Sequence, residues 1–195
     1  MKKLICIAVG LCILVLSGCA TNNHGSIQPI MDSNETPASS SGYVAGMFSR
    51  DWNPSKLGFG LGIVDTATAE EYVMPFGVET GMPGSVADAF GMIQLPPGEY
   101  RIAYWIIYSG NDEELLSQTS ISPDSKTGLP FTLEPGEVIF IGSHVARYDG
   151  NNSADGGKTW SVYHQQLIFP SVQKALSRSY PAFATEPLSC PGCLK

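Results

Sequence analysis

Hydrophobic and polar positions divide this chain into three stretches. Leu4 to Leu16 is almost continuously apolar and follows Lys2 and Lys3. Thr21 to Gly42 is polar, rich in Ser, Asn, Thr and Pro. Beyond Tyr43, short runs of apolar, branched and aromatic residues recur between Gly, Pro, Asn and Asp, a pattern that predicts strands separated by turns. The candidate strands cover 43–50, 59–66, 71–76, 91–95, 99–109, 117–122, 129–133, 137–148 and 158–169. They predict an all-β fold, a single antiparallel β-sandwich of about 7–9 strands. The period then changes. Val172, Ala175, Leu176 and Ser179 follow helical spacing, Pro170 or Ser171 can open a helix, and Tyr180-Pro181 stops it. One short amphipathic helix over about 170–180 is expected, laid on a sandwich face or edge.

Two of the strands are announced by the same words. "LPPGEYRIAYWIIYS" begins at Leu95 and "LEPGEVIFIGS" at Leu133. Pro presets φ for the second position of a turn, and Gly accepts the positive φ of the third position of type II. Pro97-Gly98 and Pro135-Gly136 are therefore expected to bend the chain just before each strand. Simple alternation places Ile102, Tyr104 and Ile106 on one face of the first strand, with Ala103, Trp105 and Ile107 on the other. In the second, Ile139 and Ile141 oppose Val138 and Phe140. Strands that are apolar on both faces are covered on both sides, so these two are the candidates for the sheet centres. A hairpin through "DGNNSADGG", Asp149 to Gly157, would pair Ala146 with Trp160 and His144 with Val162. It leaves His164 on the same face as His144, on a diagonal of roughly 7–8 Å.

The start of the chain decides the compartment. Two lysines, an apolar run and small residues make a secretory signal peptide over residues 1–18, too short to span a bilayer comfortably. Its last residues, Leu16-Ser17-Gly18-Cys19, resemble the bacterial lipobox. That resemblance implies that Cys19 takes a diacylglyceryl thioether, becomes the mature N-terminus and is acylated again, as with palmitate. At ~0.8 kcal/mol per buried methylene, several acyl chains anchor a protein stably. Ala20 stands where Asp would imply inner-membrane retention, so the expected location is the outer membrane, on its periplasmic face rather than the cell surface. Residues 19–42 are then expected to be an acylated flexible tether, with a root-mean-square reach of roughly 25 Å. Residues 43–195 form one β-sandwich domain with its helix and a CxxC tail. His24 is expected to be solvated within the tether.

Composition adds a constraint on partners. The formal charge of −7 becomes −9 once Lys2 and Lys3 leave with the signal. An acidic domain repels phosphate backbones, which argues against nucleic acid. Cys6 and Cys12 leave with the signal and Cys19 is acylated, so Cys190 and Cys193 remain as one pair. Pro191-Gly192 between them makes a tight turn compatible with a disulfide, which an oxidising envelope favours.

Candidate chemistry is sparse. His144 and His164 lack a third metal ligand at a recognisable spacing, and no metal or cofactor is called for. Ser143, His144 and Asp149 could be imagined as a catalytic set, but strand neighbours point to opposite faces. The loop from Asp149 to Asp155 has Ala154 where an EF-hand needs Gly and Trp160 where it needs Glu. Trp52, in "SRDWNPSK", is a candidate ligand contact.

The "LPPGEYRI" and "FTLEPGEVIFIGS" stretches, with the closing helix ending in Tyr-Pro, resemble a family of uncharacterised bacterial envelope lipoproteins. Their domain is a transthyretin-like or immunoglobulin-like β-sandwich marked by LxPGxY and FxLxPGExxYIG. Phe140 replaces the family's Tyr. These motifs are structural, so the resemblance implies the fold and no catalytic residue. The functional expectation is a non-enzymatic, lipid-anchored protein that binds or scaffolds another envelope component. The alternative is a carbohydrate- or peptidoglycan-binding protein, or a weak hydrolase, using Trp52.

Overall fold

A computed structural model describes residues 24–50, 57–76, 86–109, 113–150 and 159–194. Its strands are β1 (Ser26–Ile27), β2 (Gly42–Arg50), β3 (Leu57–Asp65), β4 (Glu71–Phe76), β5 (Val86–Leu95) and β6 (Gly98–Ser109). They continue with β7 (Leu115–Ser120), β8 (Phe131–Leu133), β9 (Val138–Gly150), β10 (Thr159–Gln165) and β11 (Leu188–Ser189), and the helix α1 is Phe169–Ser179. One sheet has the order β1-β4-β3-β6-β7, with β8 also paired to β6. The other runs β10-β9-β2-β5, with β11 paired to β9. A shared core of Val44, Ile93, Ile139 and Trp160 from the second sheet and Phe59, Leu61, Ile63 and Tyr100 from the first joins them.

The architecture differs from a single antiparallel sandwich, because both sheets are mixed. β1 runs parallel to β4, and both β2 and β11 run parallel to β9. Side-chain alternation reports which faces are buried and says nothing about the direction of a neighbouring strand. The parallel β2–β9 pair closes only after the chain has passed through the other sheet, as a parallel pairing requires a long crossover.

The repeated Leu-x-Pro-Gly-Glu words mark the corners at which the chain changes sheets. Pro96-Pro97 leads from β5 in the second sheet to β6 in the first, and Pro135-Gly136 leads from β8 in the first to β9 in the second. At the latter the expected turn forms: Gly136 has φ 76° and the Glu137 amide donates to the Glu134 carbonyl. Gly98 does not take a positive φ. The Tyr100 hydroxyl holds that corner instead, donating to the Pro96 carbonyl at 2.7 Å.

β6 and β9 lie inside their sheets, as their two-sided apolar character demands. Along β6, however, the expected faces are wrong. Gly62 pairs with Tyr104 and Ile63 with Ile102, so Ala103 is the extra residue of a β-bulge. The bulge inverts the alternation: Ile102, Trp105 and Ile107 face the shared core, while Ala103, Tyr104, Ile106 and Tyr108 face outward. The rings of Tyr104 and Tyr108 lie flat on glycines of β3. A Cβ at Gly62 would stand 2.1 Å from the Tyr104 ring, and one at Gly58 would stand 2.2 Å from that of Tyr108. Along β9, Ile139 and Ile141 face the shared core and Val138 and Phe140 the outer side, as expected.

Helix α1 matches its expected span. Pro170 sits in its first turn, where a missing amide costs nothing, and Tyr180 ends it. Val172 and Leu176 bury against Tyr43, Ala45, Met92, Val138 and Phe140, so the helix roofs the outer face of the second sheet. Between β9 and β10 the register is two residues from the expected one. Val162 pairs with Ala146, Trp160 with Tyr148, and His164 directly with His144. The slip is even, so each side chain keeps its face.

The flexible tether is the larger correction. From His24 onward the segment is laid against the body. Gln28 donates its amide to Val73 of β4 and Met31 to Met92 of β5, both at 2.9 Å, so residues 28–31 strap the two sheets together along one side. Met31 is buried, and its carbonyl accepts the Tyr180 hydroxyl at 3.1 Å. The composition argument weighed only the scarcity of apolar side chains. Strand edges offer backbone partners that no composition reports.

Two substitutions test the corners. Tyr100→Phe removes the hydroxyl that satisfies Pro96 and is expected to cost about 1 kcal/mol. Gly136→Ala meets open space, with Glu186 Oε2 its nearest neighbour at 3.8 Å, but is forced into the left-handed region at about 1–2 kcal/mol. Urea unfolding curves for the two variants measure both losses.

Candidate binding cleft

The strap is the roof of a cleft. β4 and β5 are the last long strands of the two sheets on one side of the body, and residues 27–30 cross between them. Beneath lies a cavity of about 470 Å³, within the size range of small-molecule sites. Phe48 and Phe76 form its floor, stacked at 4.3 Å, with Phe90 at its flank and Ile27, Pro29 and Ile30 above. Ile30 is 39 % exposed despite its position on the roof. Gln28, Glu113 and the buried Tyr108 supply the polar groups. Burial pushes the Tyr108 phenol well above its usual range, and the Glu113 carboxylate adds to the shift. The Tyr108 hydroxyl therefore stays protonated.

The first described residue stands at this cleft. His24 Nε2 lies 3.1 Å from the carbonyl oxygen of Glu113, and its Nδ1 lies 2.7 Å from that of Gly25. The Gly25 amide donates to the Tyr104 hydroxyl, which in turn donates to Glu71 at 2.7 Å. His24 is thus fastened to the body rather than solvated. A second hollow of about 480 Å³ lies on the other side of Ile30, between Met31, Glu35, Gln94 and Pro97, and has a more polar lining.

Of the residues singled out from sequence, none that the structure describes lines the cleft. Cys19 and Trp52 lie outside the described residues, as does most of the loop from Asp149 to Asp155. Asp149 accepts a hydrogen bond from Ser161. Cys190 and Cys193 are joined in disulfide geometry, their Cα atoms 5.4 Å apart, and pack on the outer core beneath α1. Among the described residues, no group of three or more His, Cys, Asp or Glu could hold a metal.

His144 and His164 are cross-strand partners with ring centroids 5.3 Å apart. His144 is 1 % exposed, and its Nε2 has no hydrogen-bond partner. No nucleophile–base pair with Ser143 forms through that nitrogen. Its neighbours are Phe48, Phe59, Phe76 and Val162, around a void too small to admit water. Burial pushes its pKa down to about 3, and the charge of His164 adds to this against an opposing hydrogen bond to the Ile141 backbone. Burial, then the charge of Lys126, also lowers His164.

Sequence reasoning missed the cleft because its lining comes from five separate parts of the chain. One local signal was present. Ile27, Pro29, Ile30 and Met31 cluster inside an otherwise polar stretch, and an apolar cluster of that kind needs a surface to lie on.

No family model matches this chain, and no curated protein matches it. Among solved structures, a leucine-rich repeat protein from Bacteroides thetaiotaomicron is similar at 15% identity and a TM-score of 0.36. The similarity covers 55% of this chain and 13% of that one, and nothing about fold or function follows from it.

The buried histidine makes stability depend on pH. The folded chain holds His144 neutral down to about pH 3, whereas the unfolded chain binds a proton below its ordinary value of 6.5. Its contribution is therefore complete above pH 6.5 and is lost as pH falls toward 3. His144→Leu is expected to flatten the fall of the urea midpoint across that window, as measured by unfolding at a series of pH values.

Proposed function

We propose that this protein is a lipid-anchored envelope protein without catalytic activity, acylated at Cys19. In this reading its two-layer β body binds or scaffolds another component of the outer membrane. The observation that carries the reading is the placement of Leu16-Ser17-Gly18-Cys19 at the close of the apolar run from Leu4 to Leu16. No helix among the described residues is long and apolar enough to cross a membrane; in this reading the acyl chains supply the attachment.

The cleft supports a binding role. It is apolar, it is open to solvent, and no nucleophile or metal set among the described residues faces it. Its polar lining is limited to Gln28, Glu113 and the buried Tyr108, few partners for the many hydroxyls of a glycan.

Cells grown with labelled palmitate are expected to incorporate it into the protein, and Cys19→Ser is expected to abolish both the label and recovery in the membrane fraction. Label persisting in Cys19→Ser contradicts the assignment. Cross-linking in intact cells is expected to capture an envelope component. Saturable adsorption to purified cell wall, lost in Trp52→Ala, would favour a glycan-directed protein instead.

A further inference from the structure

The cleft and the start of the described chain lie side by side. Glu113 lines the cleft, and His24 is held against its carbonyl oxygen. His24, bonded to a residue of the lining, therefore fixes beside the cleft the point at which the upstream chain joins the body. Cys19 is five residues away, and five residues span at most about 17 Å when fully extended. A group on Cys19 is therefore tethered within reach of the cleft.

The chemistry of the lining selects among occupants. A peptide strand would bring backbone amides and carbonyls that need partners. On the two strands that flank the cleft, the Val73 carbonyl is already taken by Gln28 and the Met92 carbonyl by Met31. The strap thus occupies positions a visiting strand would use. A phosphorylated or strongly anionic ligand finds no Lys or Arg in the lining, and Glu113 would repel it. An unbranched hydrocarbon needs no polar partner and is matched by Phe48, Phe76, Phe90, Ile27 and Ile30.

We infer that the cleft beneath the strap holds an acyl chain carried by Cys19 of the same molecule. The inference rests on acylation at Cys19 as proposed above. Tethering makes the encounter intramolecular, which raises the effective concentration of this chain at the cleft over that of a free competitor of equal affinity. The remaining acyl chains stay in the bilayer, and the body is drawn down with the cleft facing the membrane rather than standing off on a long stalk.

The test uses the full acylated chain in intact cells. A photoreactive benzoylphenylalanine is placed at Ala89, which lines the cleft and is exposed, and a control is placed at Leu116 on β7, which is 52 % exposed. After irradiation and digestion, mass spectrometry is expected to find the Ala89 peptide joined to the acylated N-terminal peptide of the same chain, with no such adduct from Leu116. Gly91→Phe, which puts a ring into the cleft, is expected to abolish the adduct while the intact mass still shows acylation. An adduct from Ala89 to a free phospholipid, to another protein or to a second copy overturns the inference, as does no adduct from an acylated chain. An intact mass without acyl groups overturns the lipoprotein reading itself, so the two failures are distinguishable.

Discussion

Strand β9 is apolar on both faces, and the need to bury both at once organises the rest of the molecule. Ile139 and Ile141 point to the first sheet, while Val138 and Phe140 point the other way and need a cover of their own. At roughly 1.5–3 kcal/mol for each large apolar side chain removed from water, neither face can be left open. The first sheet covers one. Helix α1, the turn ending in Phe183 and the tail bearing Cys190 and Cys193 cover the other. A three-layer arrangement follows in that half of the body, built from a β-sheet flanked by a second sheet on one side and by a helix with its tail on the other.

The first sheet solves its outer face differently. No helix among the described residues lies over it, and its own aromatic residues do the covering. Tyr104 and Tyr108 fold down onto the glycines of β3, and the bulge at Ala103 turns them to that side. The glycines at 58 and 62 are thus required by the rings above them. Tyr104 also reaches Gly25 and Glu71, which ties the start of the described chain to this face.

The strap joins these two solutions. It bonds to the first sheet through Gln28 and to the second through Met31, and it roofs the space that remains where the sheet edges stand apart. The cleft lies where β4 and β5, the last long strands on this side, belong to different layers. Phe48 and Phe76, both members of the shared core, form its floor. The proposed attachment through Cys19 and the proposed seat of its acyl chain meet at this gap.

The sequence by itself determined what depends on neighbours along the chain. Short apolar, branched and aromatic runs between turn residues marked the strands, the spacing of Val172 and Leu176 marked the helix, and Pro135-Gly136 marked a type II turn, because each is a property of a few consecutive residues. It also showed that β6 and β9 are covered twice, since an unbroken apolar run has no other stable setting. What it could not show depends on which segments meet. The bulge at Ala103 exists only against Gly62 and Ile63. The direction of β2 beside β9 is set by the path of the chain between them, and the pairing of His144 with His164 belongs to a register two residues from the one centred on Ser153, since several Asp, Asn and Gly positions between the strands could carry a turn. The strap was missed for the same reason: its hydrogen bonds go to Val73 and Met92, and the local cluster of Ile27, Pro29, Ile30 and Met31 says that a surface is needed without saying which. Local patterning decides which surfaces must be buried, and only the tertiary structure decides what buries them.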